Sequence, residues 1–96
     1  MDQLFHPLAS RDSRKIESQY AEISTNLADR FWLELNEGLD EIFKNPEGHH
    51  FDPSGYRRYN LEKFPYRILF ELRLDCVRIM IVRHHSRKPN YGMRRR

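Results

Sequence analysis

Arg58, Arg67 and Arg83, with His84, His85 and Tyr91, are the residues of this 96-residue chain best suited to act on a ligand. A guanidinium grips phosphate or carboxylate oxygens through paired N–H donors and keeps its charge at any physiological pH. An imidazole exchanges a proton near neutrality, and a tyrosine can stack on a nucleobase or give up its hydroxyl proton. Cations for a crowded phosphate, a proton acceptor and a proton donor are the parts that phosphodiester chemistry needs in the absence of a metal. The same arginines, joined by Arg57, Arg87 and Lys88, could instead hold the carboxylates of an acidic polypeptide. Neighbours on a strand point to opposite faces, so only one of His84 and His85 can share a face with Arg67.

These residues belong to the stretch from Tyr56 to Arg87. In Tyr66–Arg73, Ile68, Phe70 and Leu72 alternate with Arg67, Leu69, Glu71 and Arg73, the period of a half-buried strand. After a turn at Leu74–Asp75, Cys76–Arg83 is apolar at almost every position and rich in Val and Ile, which predicts a central strand covered on both faces. Arg57–Leu61 is a shorter strand, separated from the next by the bend at Phe64-Pro65. The expected scaffold is therefore three antiparallel strands in a row.

The first half must cover that sheet. Gln3–His6 reads as a short strand ended by Pro7. Ile16, Tyr20 and Ile23 predict a helix from about Ser13, with Ser10 or Asp12 as its N-cap. Leu27, Phe31, Leu35, Leu39 and Ile42, flanked by Trp32 and Phe43, form the apolar stripe of a second helix, capped by Asn26 and stopped by Asn45-Pro46-Glu47-Gly48. An aromatic stripe of this kind reads as core. The predicted architecture is α+β, one domain over 1–96. A helical hairpin over about 13–45 packs on a small antiparallel β-sheet over about 56–85, and a basic tail follows at 86–96.

Charge separates along the chain. Residues 1–50 carry five Lys/Arg against ten Asp/Glu, residues 51–96 twelve against four, and no acid follows Arg83. That asymmetry points to a polyanion or an acidic protein as partner of the sheet and tail. The apolar runs are too short to span a bilayer and Met1-Asp2-Gln3-Leu4 lacks a signal-peptide pattern, so a cytoplasmic protein is expected. Cys76, the single cysteine, reads as a buried, reduced thiol. His49, His50 and Asp52, or His84 with His85, lack the spacing of a zinc site, and there is neither a nucleophile elbow nor a glycine-rich phosphate loop. No metal or cofactor is expected.

In this order the segments resemble the RelE/ParE superfamily of type II toxin–antitoxin systems, the plasmid stabilisation toxins. The resemblance rests on Leu27-Ala28-Asp29-Arg30-Phe31, Ile42-Phe43-Lys44-Asn45-Pro46, Arg57-Arg58-Tyr59-Asn60-Leu61, Phe64-Pro65-Tyr66-Arg67-Ile68 and the run from Ile81 to Pro89. It implies a growth-arresting toxin held in a hetero-oligomer by a cognate antitoxin. It also implies one of two targets, since RelE-like members cut mRNA in the ribosome and ParE-like members poison DNA gyrase without nuclease chemistry. RelE-like nucleases carry their working Arg, His and Tyr on the late strands and tail, which here means Arg58, Arg67, Arg83, His84, His85 and Tyr91. The lysine pair of some RelE-like members is missing, since Lys44 and Lys63 do not replace it, and Glu47 and Glu62 are only loose matches to the carboxylate base of others. The departures favour a binding poison over an endonuclease.

Overall fold

The structure, a computed structural model, describes residues 2–86 and 90–95. Strand β1 (Asp2–Phe5) leads into helices α1 (Pro7–Ile23) and α2 (Thr25–Lys44), a 3-10 turn at Pro46–Gly48, and strands β2 (Arg57–Asn60), β3 (Tyr66–Arg73) and β4 (Cys76–His84). The sheet order is β1-β4-β3-β2. β2, β3 and β4 are antiparallel as expected, but β1 runs parallel to β4, from Asp2 opposite Cys76 to Phe5 opposite Ile79, so the sheet is mixed. The two helices intervene between β1 and β4 and supply the crossover that a parallel pair requires.

The helix starts differ from the sequence reading for a local reason. Pro7 does end β1, but its fixed φ also suits the first position of a helix, so α1 begins there. His6 is the cap, its Nδ1 accepting from the Leu8 amide at 3.1 Å, and neither Ser10 nor Asp12 caps anything. At α2 the cap is Ser24, whose hydroxyl accepts from the Leu27 amide at 3.3 Å, rather than Asn26. The helical hairpin therefore spans 7–44.

The α2 stripe is core, as read. Phe31, Leu35 and Ile42 are fully buried, and Phe31 meets Phe64 and Tyr66 edge-on at 5.4 and 5.8 Å between centroids. Burying such a side chain contributes about 1.5–3 kcal/mol. Trp32 departs from the reading: it lies at the margin of the stripe and is 42% exposed. Ile23, at the end of α1, also faces solvent, and Cys76 is half-buried because it opens β4 straight after the turn.

β4 is central and covered on both faces, with one irregularity. Leu69 is opposite Ile81 and Phe70 opposite Ile79, so Met80 is an extra residue in β4. Val77, Ile79 and Val82 join the core under the helices, whereas Met80 and Ile81 both turn to the far face beside Leu69, Tyr56 and Tyr91. The bulge resets the alternation, which decides where the residues after it point. Arg83 goes to the far face and His84 to the helix face.

Candidate functional site

The far face of the sheet holds a cluster centred on Asp52. The run Asp52-Pro53-Ser54-Gly55 folds as a tight turn, with the Gly55 amide donating to the Asp52 carbonyl at 2.9 Å and Gly55 at φ 96°. The turn closes when the Asp52 amide donates to the Tyr56 carbonyl at 2.7 Å, which sets Asp52 beside the start of β2. Its side chain is only 1% exposed. Oδ1 accepts from Arg67 Nη1 at 2.8 Å, and Oδ2 from Arg83 Nη2 at 3.2 Å and from the Ser54 amide at 2.9 Å. Arg58 Nη1 stands 3.9 Å from Oδ1, an ion pair beyond hydrogen-bond length. Register explains the convergence, because Arg58 is opposite Leu69 on β2–β3 and Arg67 opposite Arg83 on β3–β4. Burial disfavours the Asp52 charge, but the Ser54 hydrogen bonds and then Arg67 and Arg83 outweigh it and hold the carboxyl below its ordinary range.

A second cluster lies where β1 ends and leaves the edge of β4 open. Asp12, buried on α1, accepts from the Val82 amide at 3.1 Å and from the Tyr91 hydroxyl at 2.9 Å. Arg95 binds it with both terminal nitrogens, at 2.6 and 3.1 Å, and also donates to the Met80 carbonyl at 2.9 Å. Two side chains thus satisfy backbone groups that a longer β1 would have paired. Burial works against the charge of Arg95, but its hydrogen bonds to Asp12 outweigh that and raise its pKa above the ordinary value. The segment 90–95 is drawn across the sheet end by these contacts. It needs a glycine at 92, where φ is 80° and a Cβ would lie 2.9 Å from Ile81 side-chain atoms.

The candidate residues of the sequence reading therefore fall into two groups. Arg58, Arg67 and Arg83 meet at Asp52, with exposed His85 next to Arg67. Partial desolvation and then the charge of Arg67 push the His85 imidazole below its ordinary pKa. His84 and Tyr91 instead line a cleft between α1 and the end of β4, with Lys15, Gln19 and Tyr66. There the His84 ring stands edge-on to Tyr66 at 5.1 Å, and its Nδ1 accepts from the Ser86 amide at 3.0 Å. Arg83, 6% exposed, is the residue that reaches both groups: Nη1 donates to the Tyr91 carbonyl at 3.5 Å while Nη2 holds Asp52. Arg57 joins neither. It is opposite Phe70, on the helix side, donates to the carbonyls of Glu47 and His49, and stacks 4.3 Å above the Phe51 ring. Arg87 and Lys88 lie outside the described residues.

Sequence reasoning missed Asp52 and Asp12 as centres and Arg95 as a buried residue. The Asp-Pro-Ser-Gly run just ahead of Arg57-Arg58 was a signal for the first, since an aspartate that opens such a turn faces the strand that leaves it. Nothing local announces the pairing of Asp12 with Arg95, which are 83 residues apart.

No helix of the structure, over the described residues, is long and apolar enough to cross a membrane. No curated protein matches the chain. Residues 4–89 match the family described as ParE toxin of type II toxin-antitoxin system, parDE. That match takes in both helices, all of β2, β3 and β4, the Asp52 cluster and the Asp12 end of the second cluster. This chain belongs to the ParE family, the toxins of type II toxin–antitoxin systems whose partner is a cognate antitoxin.

Proposed function

We propose that this toxin arrests growth as a binding poison of DNA gyrase, in the cytoplasm, and that it does not cut RNA. The observation that carries this reading is the division of the candidate residues. An endonuclease needs its cations and its proton carriers around one phosphate. Here Arg58 and Arg67 stand at Asp52, while His84 and the Tyr91 hydroxyl belong to the α1 cleft, and that hydroxyl already donates to Asp12. Of the candidate proton carriers among the described residues, only His85 stands beside Arg67. Arg58 and Arg67 then serve as a binding surface for the target or the antitoxin, braced by the buried Arg83, with Arg57, Arg87 and Lys88 as further candidates for antitoxin contact.

Purified toxin, freed of its antitoxin, is added to gyrase supercoiling reactions and, separately, to translating ribosomes whose mRNA is read by primer extension. Inhibited supercoiling with intact message is the expected result, and adding back the antitoxin restores supercoiling. Cuts in the message that disappear in the His85→Ala protein, with supercoiling unaffected, would overturn the proposal.

A further inference from the structure

The geometry points to a phosphate-binding subsite on the solvent side of Asp52, formed by Arg58 and Arg67, that takes a phosphodiester of duplex DNA. Among the described residues Arg58 and Arg67 both face one covered carboxylate, Asp52, while keeping 33% and 22% of their side-chain surface exposed. Asp52 draws Arg67 inward, yet among the described residues the Arg67 Nε is buried with no hydrogen-bond partner. Arg58, at 3.9 Å, has attraction from Asp52 but no hydrogen bond, so its donor fork is open to an incoming oxyanion. Both are preset by strand pairing, since Arg58 and Arg67 sit on adjacent strands β2 and β3 with their side chains on the same face. Asp52 has two effects here. It holds the arginines in place, and it cancels part of the charge that a phosphate would otherwise feel.

The surroundings favour a polyanion over a single acidic side chain. Arg73, paired with Glu71, and Arg78 continue on the same face of β3 and β4, whereas the acids Glu34, Glu37, Asp40 and Glu41 lie on α2 in the other layer. A face with excess cations, backed by a layer with excess anions, orients a molecule against a nucleic-acid backbone. The choice of DNA over RNA rests on the gyrase reading above.

The test is fluorescence anisotropy of a labelled DNA duplex against full-length toxin over a series of salt concentrations. Arg58→Gln should weaken binding roughly fivefold at low salt and lower the slope of log K against log salt by about one. Arg14→Gln, an equal charge change on the exposed side of α1, should do much less. Asp52→Asn should tighten binding, because it removes the internal counter-charge. Equal effects of Arg58→Gln and Arg14→Gln would overturn the inference, as would loss of affinity for a polyglutamate chain with duplex binding unchanged. If Asp52→Asn melts too low to assay, the arginine comparison decides alone. Supercoiling inhibition is read on the same proteins. Inhibition with DNA affinity indifferent to Arg58 sinks the subsite and spares the gyrase reading, and the reverse pattern does the opposite.

Discussion

Asp12 and Asp52 are both buried and both bind arginine, but their surroundings are matched in one case and unmatched in the other. Asp12 meets a single guanidinium in a two-pronged pair, and the Tyr91 hydroxyl and Val82 amide complete its acceptor positions. Charge and hydrogen bonds close on themselves there, so the cluster is a clasp. Asp52 faces three arginines, and two of them, Arg58 and Arg67, are partly in water. Isolated buried pairs add little net stability against apolar replacements, yet breaking one is costly.

That contrast can be broken by substitution. Asp12→Ala should produce the largest effect, a loss of about 3–5 kcal/mol in urea unfolding, because Arg95 stays buried without its counter-charge. An unchanged midpoint would mean that the clasp opens freely in solution. Asp52→Asn should cost less, about 1–3 kcal/mol, since Arg58 and Arg67 can turn to solvent. A loss as large as that of Asp12→Ala would erase the distinction.

Acid separates the wild type from that second variant. The Asp52 pKa is depressed in the folded state, so its contribution is present above the unfolded carboxylate value, about 3.9. It is shed as pH falls through the lower folded value. The stability of Asp52→Asn should therefore fall less steeply over that acid range, as followed by circular dichroism. Gly92→Ala should cost about 1–2 kcal/mol, from the positive φ and the contact with Ile81. The smallest expected effect is spectroscopic: Arg67→Gln should raise the His85 pKa toward its ordinary value in an NMR titration.

Much of the fold was legible because it rests on periodicity. The alternation in Tyr66–Arg73 and the α2 stripe identified a strand and a helix, and Ile68, Phe70, Phe31, Leu35, Leu39 and Ile42 are buried as expected, whereas Leu69 is buried on the opposite face and Trp32 is exposed. Two kinds of feature were not legible. The first is a residue with two meanings, such as Pro7, which ends a strand and starts a helix in the same position. The second is anything set by distant partners. The direction of β1 depends on β4, 74 residues later, and the extra residue at Met80 is invisible in a run where every position is apolar. Of the candidate site, the arginines were legible as candidates from their residue type and strand positions, but the bulge decides the face that Arg83 takes. The diversion of His84 and Tyr91 was not legible, because the bulge and the clasp with Asp12 decide it.

The parallel pairing of β1 with β4 has a consequence for the order of events during synthesis. β1 leaves the ribosome first and has no strand to join until Cys76–Ile79 has been made, and Asp12 waits longer still, for Arg95. At about 5–20 residues per second that delay is several seconds, during which the helices can form but the edge of the sheet cannot close. Long-range pairing of this kind slows folding. A nascent toxin thus passes through an interval in which β1 lacks its partner strand and Asp12 lacks Arg95.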